Sequence, residues 1–152
     1  MGKQLETDIE IRATPERVWE VLTDFDAYPA WNPFIIHAAG QAAAGSRLNL
    51  RMRPPGRRPT RFRPLVLDAE PGLRLRWLGR VLVPGLFDGE HSFDIQPVGP
   101  DRVRLTQHER FRGILAPVLF GFLAKPTLAG FQQMNQALKD RAEQPSRTRA
   151  RS

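Results

Sequence analysis

Residues 7–34 constrain the fold more than any other part of the chain. They open with an alternation of apolar and polar residues, which is typical of a strand with one solvent-exposed face. Thr14 then stands where a helix N-cap oxygen is needed, and Pro15 suits the first helical position. Pro29 and Pro33 prevent one long helix. The stretch therefore predicts a strand, an amphipathic helix and at most a short second helix before the next strand.

The following part of the chain predicts a meander of strands separated by turn residues such as Gly45-Ser46, Pro71-Gly72 and Gly99-Pro100-Asp101. With the first strand included, the predicted strands are Leu5–Arg12, Phe34–Ala39, Arg47–Arg53, Arg61–Ala69, Leu73–Val81, Leu86–Gln96 and Arg102–Arg112. Each alternates apolar and polar residues, so one face of the sheet is expected to be dry.

The chain then carries a long amphipathic segment, residues 114–143. Its later part places one apolar stripe on a helix: Thr127, Phe131, Met134, Leu138 and Ala142. Pro126 is expected to kink this helix or to divide it from a preceding apolar helix. Gly130 is expected to allow a close approach to the sheet.

Three segments resemble the START-like helix-grip (SRPBCC) superfamily, in its generic bacterial polyketide cyclase/dehydrase-like branch: TPERVWEVLTD, YPAWNPF, and FRGILAPVL with GFQQMNQALKDRAE. The resemblance implies an α+β fold in which a curved seven-stranded antiparallel sheet wraps around the C-terminal helix, with two short helices between strands 1 and 2. The resemblance covers roughly residues 4–143. The predicted domain is residues 1–144, and residues 145–152 are expected to form a disordered basic tail.

The resemblance also implies a cavity between sheet and helix that accepts a hydrophobic or aromatic small molecule, lipid or polyketide-like. Large side chains on the dry face and on the closing helix are the expected lining: Trp31, Phe34, Trp77, Phe87, Phe93, Phe111, Phe131 and Met134. The alternative is that these residues are simply core, because aromatic side chains at strand and helix spacing usually pack.

Three polar residues, His91, Gln107 and Glu109, fall on the dry face. If the last two strands form a hairpin around residues 98–101, opposed positions sum to about 200, which places His91 beside Glu109 or Gln107. Such a pair can orient a ligand or act as general acid and base in a cyclase/dehydrase-type lyase. The alternative is that the two side chains only satisfy each other's hydrogen bonds and have a structural role. Whether the protein is an enzyme stays open at this point.

The chain carries a net charge of +7, of which three charges come from arginines in the last eight residues. The remaining charge of about +4 comes with no recognition motif, which argues against nucleic-acid binding. Arginines do cluster between Arg47 and Arg63. Contact with anionic lipid headgroups, with an acidic ligand near the cavity mouth or with another partner are the functional interpretations, and a merely solvated strand face is the alternative. The sequence says nothing about oligomeric state.

Other site chemistries find no support in the sequence. There is no cysteine, no HxH or HExxH spacing, no nucleophile elbow and no phosphate-binding glycine loop. We therefore expect neither a metal nor a cofactor. The charged first ten residues do not resemble a secretory signal, and no apolar run reaches the roughly 20 residues of a membrane span, so a cytoplasmic protein is expected.

Overall fold

The N-terminal elements follow the predicted order. The computed structural model describes residues 3–81, 83 and 85–144, and the predicted tail at 145–152 lies outside them. The chain begins with β1 (Lys3–Ile11), α1 (Pro15–Thr23), a 3₁₀ turn (Phe25–Ala27) and α2 (Tyr28–Trp31). The Thr14 hydroxyl accepts a hydrogen bond from the Arg17 N–H at 3.1 Å, which confirms the predicted helix start.

The short α2 is anchored by a buried tyrosine. The Tyr28 hydroxyl donates a hydrogen bond to the Leu22 carbonyl, and its ring contacts the ring of Trp31 edge-on at 5.1 Å. Burial, with a smaller contribution from the charge of Asp24, raises the pKa of Tyr28. The phenol therefore stays protonated and keeps its hydrogen bond.

The remaining strands are β2 (Ile35–Ala39), β3 (Asn49–Met52), β4 (Thr60–Phe62), β5 (Leu65–Glu70), β6 (Arg74–Val81), β7 (Phe87–Gly99) and β8 (Arg102–Arg112). They form an antiparallel five-stranded sheet of order β1-β8-β7-β6-β5 and an antiparallel three-stranded sheet of order β2-β3-β4. The α+β class is confirmed. The predicted single seven-stranded sheet is wrong, because the described residues form eight strands in two sheets.

Pro64 explains this difference. Arg61–Ala69 was predicted as one strand, but β4 ends at Phe62 and β5 begins at Leu65. Proline has no N–H to donate to a strand ladder, so it marks a place where pairing changes. Here β4 pairs with β3, whereas β5 pairs with β6 in the other sheet. The Leu48 N–H donates to the Pro64 carbonyl at 2.9 Å, which holds the two sheets together at this point.

The C-terminal helix α3 (Ala116–Ala142) runs without interruption through Pro126, so the predicted division into two helices is wrong. Its second part is buried and packs against β1, β8 and α1. Gly130 meets the ring of Phe34 so closely that a Cβ there would lie 2.3 Å from a ring carbon. The close approach at Gly130 was predicted toward the sheet, but the neighbour is the ring of Phe34, the residue before β2.

The end of α3 is fixed by hydrogen bonds to the N-terminal elements. The Arg17 guanidinium donates to the carbonyls of Arg141 and Ala142, at 3.1 and 3.3 Å. The Arg12 N–H donates to Glu143 at 2.9 Å and lowers the pKa of that carboxyl, with help from Lys139. The two Arg17 bonds satisfy carbonyls that a helix end leaves without partners. Among the described helices none is long and apolar enough to cross a membrane.

Candidate functional site

A partly open cavity of about 160 Å³ lies between the two sheets and the first half of α3. An apolar cavity of roughly 150 Å³ is large enough for benzene. The lining is mainly apolar and consists of Phe34, Leu50, Met52, Pro54, Thr60, Phe62, Pro64, Trp77, Gly79, Phe87, Gly89, Glu109, Phe111, Leu123 and Thr127. The closed part of the cavity therefore has room for one ring-sized group, and a larger ligand would extend through the opening.

Two paired glycines account for part of this space. Gly79 on β6 lies opposite Gly89 on β7, both on the face that carries Trp77 and Phe87. A Cβ at Gly79 would come no nearer than 3.9 Å to any neighbouring heavy atom outside its own chain neighbours. Glycine inside a strand leaves a gap where a side chain would otherwise pack. At this edge of the cavity, therefore, neither of the two paired positions projects a side chain from the sheet.

Glu109 supplies the ionisable group of the cavity wall. Of the described residues that line the cavity, it alone has an ionisable side chain. Its side chain is 13% exposed, and its Oε2 lies 3.2 Å from Nδ1 of His91. A Cβ on the cavity-lining Gly89 would lie 3.2 Å from Oε1, so this oxygen points to the cavity side of the strand. Glu109 therefore faces both the cavity and His91.

His91 lies behind the wall, only 1% exposed, between aromatic rings. Its imidazole stacks on Trp77 at 5.3 Å and contacts Phe93 and Phe131 at 4.5 and 4.8 Å. In the β7–β8 hairpin it pairs directly with Glu109, as the sum rule predicted. The ring is therefore held in one position by packing as well as by hydrogen bonds.

Gln107 fixes which nitrogen of His91 carries a proton. The amide nitrogen of Gln107 donates to the Phe131 carbonyl at 3.2 Å and to Asn135 Oδ1 at 2.7 Å. A backbone carbonyl only accepts, so this contact orients the Gln107 amide. Its oxygen must then face His91 Nε2, at 3.0 Å, and that nitrogen must carry hydrogen. Asn135 extends the chain of hydrogen bonds to the Thr7 hydroxyl.

A hydrogen bond between His91 Nδ1 and Glu109 Oε2 requires one proton in the contact. If both atoms lacked a proton, two lone pairs would face each other at 3.2 Å. Either the imidazole is cationic beside a carboxylate, or a neutral imidazole accepts from a protonated carboxyl. The pair therefore joins a buried imidazole to a largely buried carboxyl group that keeps one oxygen on the cavity side. It is able to accept from, or exchange a proton with, a bound ligand.

The structure separates the predicted site residues into two groups. Five of them line the cavity: Phe34, Trp77, Phe87, Glu109 and Phe111. Six lie outside the lining: Trp31, His91, Phe93, Gln107, Phe131 and Met134. Most of this second group forms the packed interior around His91. Trp31 instead packs beside Tyr28, and its buried indole N–H has no hydrogen-bond partner among the described residues.

Sequence reasoning missed the contribution of the β3–β4 hairpin and of the first half of α3. Phe62, Thr60 and Pro54 come from that hairpin, and Leu123 and Thr127 come from the helix. Glycines interrupting the dry faces of two neighbouring strands were a usable signal. Within the described residues no group of three or more His, Cys, Asp or Glu side chains is placed to hold a metal ion.

Comparisons with known proteins agree with this architecture. The family described as "Polyketide cyclase / dehydrase and lipid transport" has a model that matches residues 3–143. No curated protein matches the chain. A START superfamily protein from Mycobacterium smegmatis is 24% identical, with 92% of this chain and 97% of that chain covered and a TM-score of 0.74.

Two further solved structures share the fold. Norcoclaurine synthase from Thalictrum flavum, in complex with dopamine and hydroxybenzaldehyde, is 12% identical over 96% of this chain and 90% of its own, with a TM-score of 0.71. The di-domain ARO/CYC BexL from the BE-7585A biosynthetic pathway is 15% identical over 93% of this chain and 46% of its own, with a TM-score of 0.73. At these identities the likeness concerns the fold.

Proposed function

We propose that this chain, which belongs to the polyketide cyclase/dehydrase and lipid transport family, binds a small molecule that inserts one apolar ring into the cavity and directs a polar atom to Glu109. The observation that carries the proposal is a ring-sized apolar cavity with one ionisable side chain, held from behind by His91. A whole lipid or polyketide exceeds the closed volume, so such a ligand would enter by one end. Cytoplasmic residence stays a prediction from the sequence.

The solved relatives support a ring-sized ligand class. Norcoclaurine synthase was crystallised with dopamine and hydroxybenzaldehyde, each of which carries a single aromatic ring with polar substituents. An apolar pocket with a few convergent polar groups is the usual form of a small-molecule site. In this chain the polar group is Glu109, and Thr60 and Thr127 add hydroxyl groups at the lining.

Ligand-detected NMR titrations that measure the binding of toluene and p-cresol test the proposal. The two probes differ by one hydroxyl, so their affinity ratio reports the contact with Glu109. We expect p-cresol to bind more tightly, by roughly tenfold for one hydrogen bond to a charged group. Glu109→Gln should reduce this ratio and leave toluene binding nearly unchanged.

Filling the cavity is the decisive variant. Gly79→Leu places a side chain in the gap opposite Gly89 and should abolish binding of both probes. Gly99→Leu is the matched control, because Gly99 lies at the exposed end of β7 outside the lining. If Gly79→Leu binds both probes like the unmodified chain, the cavity is not the binding site.

A second candidate function, acid–base catalysis of the cyclase/dehydrase type, is favoured by the 3.2 Å contact between His91 Nδ1 and Glu109 Oε2. Glu109 would take a proton from a carbon beside a ligand carbonyl and return it, while His91 balances the change of charge on the carboxyl. NMR-detected exchange of the α-hydrogens of phenylacetone in heavy water measures this step. We expect exchange above the buffer rate, lost in Glu109→Gln; a rate equal to that of buffer contradicts the mechanism for this ligand class.

A further inference from the structure

The start of α3 exposes an apolar stripe, formed by Ile114, Val118 and Phe122. These side chains are 80%, 62% and 66% exposed. Their spacing of four residues brings them to one side of the helix and of the turn before it. Leu119 and Leu123, on the neighbouring side of the helix, pack against the core. The helix is thus apolar on two sides here, and only one of them is covered by the described protein.

A basic hairpin lies against this stripe. It comprises residues 47–63, with exposed arginines at positions 47, 51, 53, 57, 58, 61 and 63. None of the seven forms an ion pair within the described residues. The Arg57 guanidinium donates to the Phe122 carbonyl at 3.4 Å. This contact brings the tip of the hairpin to the C-terminal end of the apolar stripe.

The surface formed by these two segments lacks acidic residues. The sequence contains no Asp or Glu at positions 27–67 or 110–139. Arg112 and Lys125 are exposed near the two ends of the stripe. On the neighbouring β7, Asp88 pairs with Arg112 in the strand register and lies 3.8 Å from the Arg80 guanidinium. The apolar stripe is therefore bordered by positive charge, and the part of it on the basic hairpin has no ion-pair partner among the described residues.

The cavity opens between the same two segments. The basic hairpin contributes Pro54, Thr60 and Phe62 to the lining, and α3 contributes Leu123 and Thr127. Thr60 is exposed, so the opening lies at the hairpin surface. A partner that covered the stripe and the tip of the hairpin would face the cavity entrance.

We propose that this surface docks on a lipid bilayer that contains anionic lipids. Apolar side chains of an interfacial helix insert at the boundary of headgroups and acyl chains, while arginines beside them contact lipid phosphates. A second copy of the chain is a poor partner for this surface, because a two-fold contact would bring the basic hairpins of the two copies close together, where their like charges repel. The inference goes beyond ligand binding and holds whether or not the cavity is filled.

Flotation of the full chain with phospholipid vesicles tests the proposal. One set of vesicles contains phosphatidylcholine alone, and the other adds phosphatidylglycerol at roughly one part in three to create the negative surface potential. We expect the chain to float with the mixed vesicles and weakly or not at all with the neutral ones. Added salt should reduce flotation with the mixed vesicles, because it screens the arginines.

Two variants separate the apolar and the charged contributions. Phe122→Ser should lower partitioning to mixed vesicles by about tenfold or more, given the usual gain from burying a phenyl group. Arg57→Glu reverses one charge and should lower it by about tenfold on mixed vesicles and little on neutral ones. Leu73→Ser and Arg102→Glu are matched controls at exposed positions away from the surface and should change partitioning less than about twofold.

Three results would overturn the docking surface. The first is that the unmodified chain does not float with the mixed vesicles. The second is that the control variants lose as much partitioning as the test variants, and the third is that sedimentation shows a dimer that Phe122→Ser dissociates. Toluene and p-cresol titrations without vesicles are run on every variant. Unchanged probe binding shows that the variants are folded, and it separates a failure of docking from a failure of the proposed ligand site.

Discussion

The two halves of the interior differ although the same strands cross both. In the packed half, around His91, the side chains of Phe93, Gln107 and Phe131 are fully buried. In the hollow half, strands β6 and β7 present glycine, and α3 has only Ala116 fully buried before Gly130. The cavity therefore forms where side chains are missing from the sheet and the helix is not buried against it. It does not depend on an unusual backbone.

Glu109 lies at the boundary between the two halves. One of its oxygens belongs to the hydrogen-bond network of the packed half, and the carboxyl also lines the cavity. Burying a charged or polar group without partners costs about 1–3 kcal/mol or more, so the packed half must be complete for Glu109 to keep its position. The packed half thus serves as the support of the candidate site.

The largest expected effect is a difference in the free energy of unfolding between one substitution in the packed half and one in the hollow half. Phe131→Ala removes a fully buried ring from the packed half and should lower the free energy of unfolding by about 3–5 kcal/mol. Phe62→Ala removes a half-buried ring from the cavity wall, where space already exists, and should cost only about 1 kcal/mol. Urea unfolding measures both. Equal losses would show that the hollow half is packed in solution.

The hydrogen-bond network gives the next largest effect. Gln107→Leu keeps the size of the side chain but leaves His91 Nε2–H and Asn135 Oδ1 without their partner. We expect the free energy of unfolding to fall by about 2–4 kcal/mol. Long-range proton–nitrogen NMR should show hydrogen on Nε2 of His91 in the unmodified chain. A His91 with hydrogen only on Nδ1 would contradict the proposed orientation of Gln107.

Features that depend on local chemistry were predictable from the sequence. Thr14 and Pro15 predicted the start of α1. The tight β7–β8 turn predicted that His91 lies beside Glu109 or Gln107, and the observed register pairs it with Glu109. The change of sheet at Pro64 carried a local signal, a proline inside a predicted strand, which was misinterpreted.

The position of the cavity was less accessible. It depends on side chains from β3, β4 and the first half of α3 that meet only in three dimensions. Alternation identified which strand residues face inward, but it could not distinguish an inward residue that fills space, such as Phe93, from one that borders space, such as Phe111. Packing of non-neighbouring elements decides that difference.

Gly130 tests the wall shared by the two halves. Gly130→Ala should gain roughly 1 kcal/mol of helix propensity, but the new methyl group would overlap the ring of Phe34. Overpacking of this kind typically costs about 1–3 kcal/mol, so we expect a net loss of about 1 kcal/mol. Because Phe34 also lines the cavity, its displaced ring should weaken toluene binding. Unchanged binding would mean that Phe34 moves away from the cavity.

The smallest effect is expected at the glycine pair, where one methyl group distinguishes free space from contact. At Gly79 an added Cβ meets neighbours only at 3.9 Å or more, so the folded structure accepts it. Gly79→Ala should therefore raise the free energy of unfolding by about 0.4–1 kcal/mol, because alanine lowers the conformational entropy of the unfolded chain. At Gly89 the same Cβ lies 3.2 Å from Glu109 Oε1, so Gly89→Ala should gain nothing and should reduce the preference for p-cresol over toluene. The opposite ranking in urea unfolding would mean that Glu109 does not face Gly89, and the contact proposed between Glu109 and a ligand would lose its basis.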